Sequence, residues 1–142
     1  MAPIAAPRPI IIVDDDPDDL FFAQRALEKA GVEGAIITCE SGTRLVEMLQ
    51  RLRRERAPLP RVVFLDVKMP ELNGFQTLEW IRGQKELAAV KVVMLTGSNE
   101  PRDQALARTL GATDYLVKYP LPARLAALCA PQNEGDPTGS TR

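Results

Sequence analysis

The chain contains no histidine. That excludes imidazole acid–base catalysis, histidine metal ligands and a phosphohistidine on the chain itself. Its two cysteines, Cys39 and Cys129, lie far apart and form no metal-type pair, so both read as reduced structural thiols. No apolar stretch is long enough to span a bilayer. The opening MAPIAAPR lacks the basic start and apolar core of a secretory signal, so a cytosolic location is expected. Neither sign of charge dominates: 18 Lys and Arg against 19 Asp and Glu leave a net charge of −1, which argues against a nucleic-acid-binding surface. A G-x-x-x-x-G-K-S/T loop is also missing, which excludes nucleotide hydrolysis of the P-loop type. What is present is ordinary for one globular domain: 142 residues, 45% hydrophobic and 26% charged.

Strand and helix signals alternate along it. Short aliphatic runs at Ile10–Val13, Ala35–Cys39, Val62–Leu65, Val90–Leu95 and Tyr115–Val117 read as strands. Between them lie helical patterns. The first runs from Pro17 to about Ala30, with Leu20, Phe21, Ala23, Leu27 and Ala30 on or near one face, and ends at Gly31. Ser41 caps a second, carrying Leu45, Val46, Met48, Leu49 and Leu52, with a charged and solvated end at Arg51 to Arg56. Phe75, Leu78 and Ile81 line a third, where Trp80 reads as packing. Glu100 to Leu110 forms a fourth, and Pro122 to Ala130 a short fifth. Residues 1–8 read as a flexible start, 9–130 as the domain, and the Pro- and Gly-rich 131–142 as a disordered tail. Five strands alternating with helices imply an α/β fold with a parallel sheet covered on both faces. Right-handed crossovers place the C-terminal ends of all strands along one edge, where ligands bind.

The densest polar feature is Asp14-Asp15-Asp16-Pro17-Asp18-Asp19. Part of it is helix chemistry. Asp16 suits an N-cap, Pro17 the first helical position, and Asp18 and Asp19 the positive end of the macrodipole. Asp14 and Asp15 lie on the strand side of that cap, where a helix asks for no acids. Adjacent carboxylates raise each other's pKa, so a cation is expected there, most simply a hard divalent ion.

Other polar residues close the other strands: Asp66 after the third, Thr96 after the fourth, Lys118 after the fifth. All land on the edge that carries Asp14 and Asp15. Three carboxylates, a hydroxyl and an ammonium from four strands fit phosphoryl transfer to a carboxylate. Asp66, which opens a loop, is the expected nucleophile. Asp14, Asp15 and Asp66 would hold Mg²⁺, while Lys118 and Thr96 would bind phosphoryl oxygens.

IIIVDDDPDD, VVFLDVKMPELNG, VVMLTGS and DYLVK, in this order over about residues 8–130, resemble the receiver domains of two-component response regulators. The resemblance implies a flavodoxin-like (βα)5 three-layer sandwich with a five-stranded parallel sheet in the order 2-1-3-4-5. It implies phosphotransfer from a sensor histidine kinase, or a histidine phosphotransfer protein, to Asp66. It adds the backbone carbonyl of Lys68 as a Mg²⁺ ligand, and Thr96 and Tyr115 as a switch that remodels the fourth helix and fifth strand. The DDDPDD and LDVKMP segments are similar to single-domain regulators associated with phytochrome-type kinases. With residues 131–142 read as a tail, no output domain is expected after the receiver. The signal would then pass to a downstream protein, with no direct contact to nucleic acid or membrane. A homodimer through the fourth helix, fifth strand and fifth helix is a further expectation, although the short last helix would alter that surface.

One departure stands out. The family usually has proline directly after the lysine, often with a cis bond, whereas the order here is Lys118-Tyr119-Pro120. A cis bond before Tyr119 costs about 2.5–4 kcal/mol, so it is expected to be trans, or the irregularity to move to Tyr119-Pro120. Two alternatives follow. A receiver fold could dock partners without phosphorylation. A Mg²⁺-dependent phosphohydrolase could turn over an aspartyl phosphate, although Lys68 stands where such enzymes usually place a second acid, two residues after the nucleophile. On the leading reading the chain is a phosphoacceptor, limited to its own phosphorylation and slow dephosphorylation, and no enzyme.

Overall fold

The computed structural model describes residues 7–130; the expected tail at 131–142 and most of the expected flexible start lie outside them. Strands and helices alternate as β1 (Ile10–Val13), α1 (Pro17–Lys29), β2 (Ile36–Cys39), α2 (Gly42–Arg54), β3 (Val62–Leu65), α3 (Gly74–Arg82), β4 (Lys91–Thr96), α4 (Pro101–Thr109), β5 (Asp114–Val117) and α5 (Pro122–Cys129), with a single 3₁₀ turn at Lys85–Leu87. The strands form one parallel sheet in the order β2-β1-β3-β4-β5. This is the flavodoxin-like order, which reverses direction beside β1 and leaves a crevice at the carboxyl ends of β1 and β3.

Alternation along each strand sorts the core into two. Ile11, Val13, Val63, Leu65, Val92 and Met94 face one side, packing against Leu45 and Leu49 of α2 and Leu78 and Ile81 of α3. Ile10, Ile12, Val62, Phe64, Val93 and Leu95 face the other, against Leu20 and Leu27 of α1 and Leu125 and Cys129 of α5. Both faces are covered, as continuous apolar runs require. Trp80 is a partly buried packing residue.

Local signals set the helix starts. The side chain of Asp16 accepts from the Asp18 backbone N–H at 2.9 Å, and Ser41 accepts from that of Arg44 at 3.1 Å. Asn73 and Gln76 form a reciprocal capping box, both bonds at 2.9 Å. Gly111 follows α4 at φ +99°, a left-handed conformation that glycine adopts without steric cost. The expected face of α1 needs one correction. Leu20 and Leu27 are buried, but Phe21 is 58% exposed and Ala30 is exposed. At 100° per residue Phe21 is turned off the stripe that Leu20, Ala23 and Leu27 define. Of the five helices, α4 has the slightest hold on the core, with Ala107 its one buried residue. No described helix is long and apolar enough to cross a membrane.

Candidate phosphoacceptor site

The sheet carries its ladder one residue beyond the strands and so fixes the backbone of the site. The Asp14 N–H donates to the Cys39 carbonyl at 3.1 Å, that of Asp66 to Val13 at 3.0 Å, and that of Lys118 to Thr96 at 2.8 Å. Register then sets Asp14 and Asp66 side by side, because Val13 pairs with Leu65. The loop after Asp66 is clamped from the far side. The Gly74 N–H donates to the Val67 carbonyl at 2.9 Å, and a Cβ on Gly74 would land on the carbonyl oxygen of Asp66. Only glycine allows α3 to start this close to the loop.

Asp14, Asp66 and Thr96 are buried, whereas Asp15 is exposed. Asp14, Asp15 and Asp66 each bring a carboxylate oxygen within 4.8 Å of the others. Octahedral Mg²⁺ holds its ligands at about 2.0–2.1 Å, so oxygens trans to one another across it lie about 4 Å apart. Three hard oxygen donors at this spacing, without nitrogen or sulfur, fit such an ion. Lys68 lines the same open cleft as Asp66, Thr96, Lys118 and Asp19.

Lys118 reaches the cluster. Its Nζ lies 2.6 Å from Asp14 Oδ2, 2.7 Å from Asp19 Oδ2 and 3.7 Å from Asp66 Oδ2. Burial alone would lower its pKa, but the hydrogen bonds it donates to Asp14 and Asp19 and the charge of Asp66 hold it above the ordinary lysine range. Asp66 moves the other way. Burial first, then the Asp14 charge, push it up to about 6, against the pull of Lys118, Thr96 and the Val67 N–H. Its Oδ1 accepts from that N–H at 2.9 Å. The Thr96 Oγ1 also accepts from the Ser98 N–H at 3.3 Å. Half-buried Tyr115 donates its hydroxyl to the Ser98 carbonyl at 2.9 Å.

Two expectations are corrected. The Lys118-Tyr119 peptide bond is cis, and the irregularity stays at Tyr119. The preference of one bond yields to the contacts on either side of it. Lys118 is ion-paired with Asp14 and Asp19, and the Tyr119 hydroxyl donates to Asp19 Oδ1 at 2.8 Å. The second correction is Asp19, which is more than a macrodipole residue. Burial raises its pKa, but the bonds from Lys118 and Tyr119 outweigh that and hold it below the usual carboxylate value. Helix geometry offered a signal. Asp19 is the third residue of α1, and helical side chains tilt toward the N-terminus, which here points at the exit of β1.

Residues 10–130 match the response regulator receiver domain. The transcriptional regulatory protein GltR of Pseudomonas aeruginosa is 35% identical over 120 residues, covering 84% of this chain and 46% of the regulator. The chain thus spans about half the length of that relative. Among solved structures, the bacteriophytochrome response regulator RtBRR superposes with a TM-score of 0.75 at 30% identity, over 94% of this chain and 87% of that one. The Mn²⁺-bound response regulator Rcp1 gives a TM-score of 0.72 at 26% identity, over 87% and 89% of the two chains. The family match starts with β1 and runs past the end of α5, leaving none of the described elements outside it, and the chain belongs to the receiver domain family of two-component response regulators.

Proposed function

We propose that Asp66 accepts a phosphoryl group from the phosphohistidine of a sensor kinase or histidine phosphotransfer protein, in a Mg²⁺-dependent reaction. The observation that carries this reading is the convergence of Asp14, Asp15 and Asp66 with Lys118 3.7 Å from the Asp66 carboxylate. Three converging carboxylates, two of them buried, are unfavourable without a cation, and the site holds an ammonium beside Asp66 that can pair with an incoming phosphoryl oxygen. Receiver domains accept phosphoryl groups from histidine kinases, and Rcp1 has been solved with Mn²⁺ bound.

Asp66 is the nucleophile. With its pKa raised to about 6, it is a stronger base than an ordinary aspartate and still ionised above neutral pH. Its oxygen bonds to phosphorus as the bond from phosphorus to the donor nitrogen breaks. Asp14, Asp15, Asp66 and the Lys68 carbonyl would hold Mg²⁺, which supplies positive charge against the phosphoryl oxygens. Lys118 pairs with one of these oxygens and Thr96 donates to another.

The output is a switch. The phosphoryl group adds roughly −1.5 to −2 charge and new acceptors. Thr96 turns to it, and Tyr115 moves from its bond with the Ser98 carbonyl, remodelling the α4–β5 surface. That surface and α5 together form the candidate face for a homodimer or a downstream protein.

Intact-mass measurement after incubation with Mg²⁺ and acetyl phosphate tests the reading. One added phosphoryl group, abolished in Asp66→Ala, is the expected result. No adduct with any phosphodonor refutes it. Continuous release of phosphate would favour a phosphohydrolase instead.

A further inference from the structure

We propose that Asp19, held in turn by Tyr119, is the positioning residue that aims Lys118 at Asp66; this inference rests on the phosphoacceptor reading above. An ammonium has three donors. In Lys118 one goes to Asp14 Oδ2 at 2.6 Å and one to Asp19 Oδ2 at 2.7 Å, while Asp66 Oδ2 stands off at 3.7 Å. Two carboxylates thus fix the nitrogen and leave the third donor for the side where the phosphoryl group arrives.

The two supports are not equivalent. Asp14 belongs to the three-acid cluster, so a bound cation shares its charge. Its Oδ1 already accepts from the Asp16 N–H at 3.0 Å and its Oδ2 from Lys118, so a cation would compete with both for the same carboxylate. Asp19 stands outside that cluster and keeps its full charge for Lys118 when the cation is present. Its second oxygen, Oδ1, receives the Tyr119 hydroxyl at 2.8 Å, so both ends of the carboxylate are held. The Tyr119 ring stands edge-on to Phe22, centroids 6.3 Å apart and planes at 87°, and Phe22 lies three residues after Asp19 on α1. The helix therefore carries both the carboxylate and the ring that seats the tyrosine.

The chemistry that follows is specific. In phosphorylation by acetyl phosphate, the Asp66 Oδ–P bond forms, the bond from phosphorus to the acetyl oxygen breaks, and acetate leaves. Asp19 and Tyr119 gain and lose no proton. Without Asp19, Lys118 rests on Asp14 alone and turns toward the oxygen the cation needs.

The test is the rate of phosphorylation of the full chain at saturating Mg²⁺ and acetyl phosphate, read by intact mass. Wild type is compared with Asp19→Asn, Tyr119→Phe, Lys118→Met and the double variant Asp19→Asn/Lys118→Met. Asp19→Asn is expected to lower the maximal rate about tenfold, within the loss of up to about 100-fold that a misplaced catalytic group can cause. Tyr119→Phe should give a smaller loss in the same direction. Because Asp19 acts only through Lys118, the double variant should be no slower than Lys118→Met alone, which a merely structural role would not produce. An Asp19→Asn rate equal to wild type, or losses that multiply in the double variant, overturns the proposal. Should Asp19→Asn fail to fold, Tyr119→Phe decides, and a wild-type rate in that variant overturns it. A wild type that takes no phosphoryl group overturns the phosphoacceptor reading and this inference together, whereas a labelled wild type with an unaffected Asp19→Asn overturns the inference alone.

Discussion

Replacing Asp66 by Asn should stabilise the fold at neutral and alkaline pH. Asp66 is 7% exposed and sits against Asp14, and its pKa is raised to about 6 from the ordinary 3.8. A folded-state value above the unfolded one means that the native protein binds this proton more tightly. Below pH 3.8 that preference stabilises the fold in full. As pH rises, the unfolded chain releases its proton first and the folded chain only near pH 6, so the contribution is lost across this window. At about 1.4 kcal/mol per tenfold in proton affinity, the ionised side chain costs the fold up to about 3 kcal/mol above pH 7. Asn keeps the shape without the charge, and Lys118 keeps Asp14 and Asp19 as partners. The expected gain at pH 7.5 is up to about 3 kcal/mol, or roughly 6–12 °C in Tm at about 2–4 °C per kcal/mol. The assay is thermal unfolding of both proteins from pH 4 to 8 without divalent ions. The Tm gap should shrink toward zero near pH 4. Adding Mg²⁺ at pH 7.5 should raise the wild-type Tm more than that of the variant, because ligand binding to the native state adds stability. A variant less stable than wild type at pH 7.5, or a gap independent of pH, would refute the reasoning.

Two further substitutions probe the parts around that carboxylate. Lys118→Met leaves the buried Asp14 and the part-buried Asp19 without their cation and should destabilise by about 3 kcal/mol in urea unfolding, most at neutral pH. Gly74→Ala drives a methyl group into the Asp66 carbonyl and should cost about 1–3 kcal/mol, with a slower phosphorylation rate because the nucleophile's loop must shift.

The sheet was legible because its strands are short, apolar on both faces and each closed by a polar residue. The same pattern predicted that Asp14, Asp15 and Asp66 would meet, since parallel strands bring their ends to one edge whatever the distance along the chain. Caps were equally plain: Asp16 and Ser41 act locally, within three residues of their partners. What escaped depends on contacts between distant residues. Asp19 satisfies two demands at once, and the nearer one, the helix dipole, explains it well enough to hide the second, since Lys118 and Tyr119 lie across the cleft. The cis bond before Tyr119 runs against the intrinsic preference of its own residues, so no local reading finds it. Phe21 is hydrophobic enough to suggest the buried face, but its angle around α1 turns it to solvent.

The slight seating of α4 has a consequence for how the domain breathes. A helix anchored through the single methyl group of Ala107 forfeits little when it lifts, whereas α3 would expose Leu78 and Ile81. Local opening free energies follow such differences, so the amides of residues 102–109 should be among the first in the sheet's coverings to exchange with solvent. This helix follows Thr96 by only a short loop, so the helix next to the hydroxyl proposed to bind the phosphoryl group is the one that resists rearrangement least.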